Sequence, residues 1–171
     1  MKQFYCTILL LIGFYTQAQN IKEKATILLN PDFKKGITVF ADSTLLKSKG
    51  VIKNNIADED FIYFEVEKVT ERAYYVNVSY FIDGEILKGW IDKKNPLGIY
   101  LKGYNSKISI FRLPLFKSEK LAILKEYRPD FIKVLDCKID WLLLQININN
   151  KIIKGWVYKD YLCDNPYTTC N

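Results

Sequence analysis

The sequence predicts an all-β protein: two small β-barrels of one repeated module, in tandem behind an N-terminal export signal. Three observations predict it. Apolar residues alternate with a period of two, a segment ending in Lys88-Gly89-Trp90-Ile91 recurs 66 residues later at Lys154-Gly155-Trp156-Val157, and helical periodicity is weak throughout.

The start of the chain carries the export signal. The 171 residues include 12 Tyr, 10 Phe and 3 Trp, and hydrophobic residues reach 49%, which suits a packed core and argues against disorder. Residues 1–18 have the layout of a secretory signal peptide. Lys2 gives the positive start, residues 4–15 are apolar, and Thr16-Gln17-Ala18 sets small residues at the −3 and −1 positions of a cleavage site after Ala18. The apolar run is shorter than the roughly 20 residues that a spanning helix needs. Cys6 lacks the small residues that precede a lipid-modified cysteine. The expectation is a soluble mature protein without a membrane span, periplasmic or secreted.

Cleavage removes Lys2 and Cys6 and lowers the net charge from +6 to +5. Of the remaining cysteines Cys137, Cys163 and Cys170, an oxidising compartment pairs two and leaves one thiol. Cys163 and Cys170 bracket a turn-rich tail, and closing that loop is worth roughly 2–3 kcal/mol in the chain-entropy model. Cys137 joined to either of them is the alternative. With no histidine and no close Cys-x-x-Cys pair, neither a metal nor a cofactor is expected.

The repeat extends upstream of Lys-Gly-Trp. Residues 75–82 align without a gap over residues 141–148, and each copy then has a turn, Asp83-Gly84 or Asn149-Asn150, suited to a two-residue hairpin. Ile37-Thr38-Val39-Phe40 lies over Ile108-Ser109-Ile110-Phe111 at an offset of 71, so the first copy carries extra residues, placed in the polar and acidic stretch 54–60. Val76, Val78, Tyr80 and Ile82 are predicted to face inward, as are Leu142, Leu144, Ile146 and Ile148. Ile62, Phe64 and Val66 alternate in the strand before, as do Ile132 and Val134. Residues 121–127 suit a strand or a turn or two of helix equally well.

Each copy is thus about five short strands, and a sheet that small leaves exposed edges unless it closes into a barrel. Residues 19–103 are assigned to barrel one with an N-terminal extension. Residues 104–171 are assigned to barrel two with a cysteine-bearing tail. The connection at residues 100–105 is short, so the barrels are expected to touch, with Tyr100 and Tyr104 packing between them.

In order, ISIF, the loop LPLFKSEK, FIKVLD, WLLLQI and KGWVYKDYL resemble the bacterial Src-homology-3 (SH3-like) domains. The end of copy two is also similar to the Gly-aromatic-Val-Pro-x-x-Tyr-Val ending of the eukaryotic relatives, with Tyr158 standing where proline is usual. The resemblance covers residues 37–101 and 107–163. It implies a non-catalytic binding module that recognises peptidoglycan or a peptide through an aromatic groove. Copy one is aligned with Tyr75 opposite Trp141 and Asn95 opposite Tyr161, so copy two is expected to keep the groove.

Four residues are the candidate ligand contacts. Trp141 and Leu143 are expected to point outward beside polar Gln145 and Asn147, and an outward tryptophan offers a face for stacking. The bland reading buries Trp141 under the long loop or against the other barrel. Tyr158 and Tyr161 flank Trp156 in the terminal turn, which the resemblance places beside the groove. Trp90 and Trp156 recur at the close of each barrel and are assigned to the core, with Gly89 and Gly155 allowing a bulge or close backbone approach.

Only three of the 25 basic residues are arginine, and the lysines are dispersed, so specific nucleic-acid binding is not expected. Without histidine the common nucleophile–histidine dyads are absent, and the protein is expected not to be an enzyme. The other readings are a module or inhibitor that binds another exported protein, which predicts a large apolar patch, and a small hydrolase using carboxylates, for which Asp58, Glu59 and Asp60 are the densest acids.

Overall fold

The computed structural model describes residues 25–103, 107–125 and 130–164. The expected signal peptide with its cleavage site, Tyr104 and Cys170 lie outside the described residues. The described chain is all-β. In order the strands are β1 (Ala25–Leu29), β2 (Ile37–Phe40), β3 (Ser48–Ile52), β4 (Ile62–Val69), β5 (Ala73–Tyr80), β6 (Gly84–Asp92), β7 (Leu97–Leu101), β8 (Ile108–Phe111), β9 (Lys120–Leu124), β10 (Ile132–Lys138), β11 (Trp141–Ile148), β12 (Lys151–Tyr158) and β13 (Leu162–Cys163). Two single 3-10 turns, Ile56–Asp58 and Lys159–Tyr161, are the helical pieces among the described residues. No helix there is long and apolar enough to cross a membrane.

Alternation in the sequence becomes burial in the sheet. Ile62, Phe64 and Val66 of β4, Val76 and Val78 of β5, and Leu142, Leu144 and Ile146 of β11 are all buried, and each stabilises the fold by about 1.5–3 kcal/mol relative to exposure. Tyr80 and Ile148, at the strand ends, are half-buried, and Ile82 lies in a turn and is exposed. Residues 120–124 resolve as strand β9 rather than helix.

The strands form a single antiparallel sheet in the order β3-β2-β6-β5-β4-β1-β7-β10-β11-β12-β8-β9, with β13 paired to β7. This corrects the expected pair of closed barrels: the order is open, and β3 and β9 end it. The cause is β7. It pairs with β1 through Leu28↔Gly98 and Leu29↔Leu97, with β13 through Leu101↔Leu162 and Tyr100↔Cys163, and with β10 through Ile99↔Ile132. Thus β7 stands to β1 as β13 stands to β7, and it stands to β10 as β1 stands to β4. One strand ends the first unit and begins the second, and the sheet runs on through it. Tyr100 therefore belongs to a strand, not to a linker.

Pairing also corrects the alignment of the two copies. Trp90 is opposite Tyr75, whereas Trp156 is opposite Leu143. The equivalent of Trp141 is therefore Ala73, two residues before Tyr75, and β5 and β11 match end to end over eight residues each. Two features of copy one supply the missing pair of residues. Its hairpin is a three-residue loop, 81–83, closed by Gly84 at φ 79°, and β6 carries a bulge at Ile86. In copy two Asn149 and Asn150, at φ 50° and 63°, make the two-residue turn that positive φ angles at both positions produce. Other irregularities recur: β4 and β10 both bulge after their central valine, Val66 or Val134, and both first hairpins shift register before Phe40 or Phe111.

Gly89 and Gly155 sit where β6 and β12 turn across β2 and β8. A Cβ at Gly89 would stand 2.6 Å from Val39 Cγ1 and 2.7 Å from the Phe40 carbonyl oxygen, and one at Gly155 would meet Ile110 Cγ2 and stand 3.0 Å from the Phe111 oxygen. Close backbone approach requires glycine at both. The adjacent tryptophans are not core residues: Trp90 and Trp156 are half-buried on the outer face, and Ile91 and Val157 take the inward positions. The units are joined by Lys93, whose Nζ is 2.8 Å from Asp136 Oδ1 and 4.8 Å from the centre of the Tyr74 ring. Cys163 is disulfide-bonded, and not to Cys137, which keeps a buried thiol beside the Tyr74 hydroxyl.

Candidate functional site

The outer face of unit two carries the largest aromatic cluster among the described residues, and local structure fixes each ring. Lys138 pairs with Trp141 across a two-residue turn that holds Ile139 at φ 54°, a strained conformation for a β-branched residue. Lys159 pins the turn: its N–H donates to the Asp140 carbonyl at 2.8 Å and its ammonium lies 2.6 Å from Asp140 Oδ1. The register this sets puts Trp141 directly opposite Tyr158 and Leu143 opposite Trp156. The Trp141 and Tyr158 ring centres are 5.2 Å apart.

The loop between β8 and β9 closes over this pair. Arg112 and Glu119 clamp its base, by a backbone bond of 2.9 Å and an ion pair of 2.6 Å. The guanidinium holds the Glu119 carboxyl below its usual value, through a hydrogen bond first and charge second. Ser118 Oγ accepts the Leu113 N–H, and Ser118 N–H donates to the Leu115 carbonyl. So folded, the loop lays Phe116 4.8 Å from Trp141 and 4.9 Å from Tyr158. Phe111 meets Trp141 edge-on at 5.5 Å. Such contacts are worth about 0.5–1.5 kcal/mol each beyond area burial.

This arrangement changes the expected roles. Trp141 does lie on the outward face, but it is only 8% exposed, because Phe116 and Phe111 cover it. It is a foundation rather than an open platform. Phe116, 58% exposed, is the ring presented to solvent; Tyr158 beside it is half-buried, as is Leu143 opposite Trp156. Tyr161 is not brought into the cluster. It leans on the core from the 3-10 turn, and its carbonyl accepts the Lys102 N–H at 2.9 Å. Phe111 and Phe116 are absent from the sequence-based candidates. The available signal was Leu113, Leu115 and Phe116 in a loop that should be polar, and all three are exposed.

Unit one builds a different outer face. Ala73 replaces the buried tryptophan, and Tyr75 packs on Trp90 at 5.2 Å with Lys68 over its ring. Further along, Glu67 holds Lys88 at 3.0 Å and accepts Asn77 Nδ2 at 3.1 Å. In the acidic stretch, Asp58 and Glu59 are exposed, while Asp60 is buried with Oδ1 accepting the Ile82 N–H at 2.8 Å. Asp60 thus fastens the loop to the 81–83 hairpin. Among the described residues no three cysteines or carboxylates gather as metal ligands.

Comparison with family models, with curated proteins and with solved structures finds no match.

Proposed function

We propose that the chain is an exported, non-catalytic binding module of two Src-homology-3-like units, and that the second unit recognises a peptide or a peptidoglycan fragment through its aromatic face. The observation that carries this reading is Phe116: an exposed ring held at under 5 Å by Trp141 and Tyr158, on a loop whose base is clamped. A fixed aromatic side chain loses little conformational freedom on binding, which is what makes such residues energetic anchors. The test is retention on purified cell wall. Phe116→Ala, at an exposed position, keeps the fold and is expected to weaken retention about tenfold, the loss of about 1.4 kcal/mol. Wild-type levels of retention in this variant, or no retention of the wild type, would remove the reading.

A second reading, a partner protein in place of the cell wall, is favoured by Leu113 and Leu115, exposed beside Phe116. A contiguous apolar surface of this kind suits a protein interface. It predicts a complex of defined stoichiometry with one exported protein that Leu113→Asp dissolves.

A further inference from the structure

Unit two has a second concave surface, away from the aromatic cluster. Along the outward side of β11 the residues run Trp141, Leu143, Gln145, Asn147, so the amides sit toward the far hairpin. There a cleft of about 500 Å³ is lined by Gln145, Asn147, Asn149 and Asn150, with Asp130 and Phe131 on the neighbouring side. Its size is that of a small-molecule site, but such sites are mostly apolar and this lining is mostly polar.

The chemistry of the lining selects a ligand. Each carboxamide offers an acceptor oxygen and two N–H donors, and among the described residues the side chains of Gln145, Asn149 and Asn150 make no hydrogen bond within the protein. Among the described residues its lining holds no cation, and Asp130 is the one charge there, an acceptor. That mixed set of donors and acceptors fits hydroxyl groups, which donate and accept at once. Phe131 adds an apolar ring, fixed edge-on by Tyr100 at 5.4 Å and admitted by the bare backbone of Gly98. In unit one the position of Gln145 is held by Asn77, and its amide is already bonded to Glu67.

We infer that this cleft is a binding site for a neutral saccharide, with the amides and Asp130 on its hydroxyls and Phe131 against its C–H face. The inference does not depend on the aromatic face. The test is titration of the isotope-labelled full chain with two probes, chitotetraose and cellotetraose, followed by amide NMR. The side-chain NH2 signals of Gln145, Asn149 and Asn150 are expected to shift and saturate together with at least one probe. Gln145→Leu should weaken that binding at least tenfold, and the isosteric Gln145→Glu, which loses the donors, should weaken it too. Phe116→Ala should leave it unchanged. Absence of a saturable shift with both probes overturns the inference. So do shifts confined to Phe116, Trp141 and Tyr158, or binding by Gln145→Leu equal to wild type. Retention on cell wall that depends on Phe116 and ignores Gln145 would leave the aromatic reading standing and this one refuted.

Discussion

The two units share an inside and differ on the outside. Apart from the longer hairpin and the bulge at Ile86 in unit one, their strand pairings, their central bulges and their crossing glycines correspond. Outward, unit one has Ala73, a Tyr75–Trp90 pair and a network in which Glu67 holds both Lys88 and the Asn77 Nδ2 group, while Asn77 Oδ1 is buried without a partner. Unit two has four converging aromatic rings, an exposed apolar loop and a cleft lined by the amides of Gln145, Asn147, Asn149 and Asn150. Core packing constrains one side of each strand and leaves the other free to vary. The proposed binding is assigned to unit two because its aromatic loop has no counterpart on the outer face of unit one.

The sharpest way to break that comparison is to remove the buried ring. Trp141→Ala is expected to cost about 3–5 kcal/mol, since Phe111, Phe116 and Tyr158 all pack on it. Trp90→Ala, at a half-buried position, should cost less than half of that. Equal costs in urea unfolding would mean that the outer faces are energetically alike.

The crossing glycines give a smaller contrast. Gly89→Ala drives a Cβ against a backbone oxygen at 2.7 Å, which cannot rotate away, and is expected to cost about 1–3 kcal/mol. At Gly155 the backbone oxygen is 3.0 Å away and the nearer atom is a side-chain methyl. Gly155→Ala should therefore cost less, and the reverse order would show that the two crossings are not equivalent.

The smallest effect is one of pH. Burial pushes the Tyr74 hydroxyl far above its usual value, with the Cys137 and Asp136 charges adding to it. In the unfolded chain the same group ionises near pH 10. Its contribution is thus complete below pH 10 and is lost as the pH rises toward the folded value, at up to about 1.4 kcal/mol per pH unit. Tyr74→Phe should flatten the alkaline fall in the urea midpoint and change little at pH 7, where the hydroxyl has no oxygen or nitrogen partner. An unchanged alkaline slope would assign the fall to other groups.

Much of the inside was legible in the sequence. Alternation identified Ile62, Phe64, Val66, Leu142, Leu144 and Ile146 as inward, and all are buried. The same period of two hid the error in the repeat. A slip of two residues returns every side chain to the face it left, so Tyr75 sits over Trp141 as comfortably as Ala73 does. Only the hairpin length and the bulge at Ile86 separate the two alignments, and both are properties of pairing. The burial of Trp141 was illegible for another reason: its cover comes from Phe116, on a loop whose path is set by Arg112, Ser118 and Glu119. The closed barrels failed on β7, whose five residues look like the end of one copy and serve two.

Sharing β7 also makes the second unit depend on the first. Once residue 101 is available, unit one has every strand it needs, and the far side of β7 is an unpaired edge ready to accept β10. Unit two has no such independence, since a chain starting at residue 104 lacks the strand on which β10 and β13 are laid. The first unit is then a template as well as a neighbour, and the second is built onto it by extending its sheet.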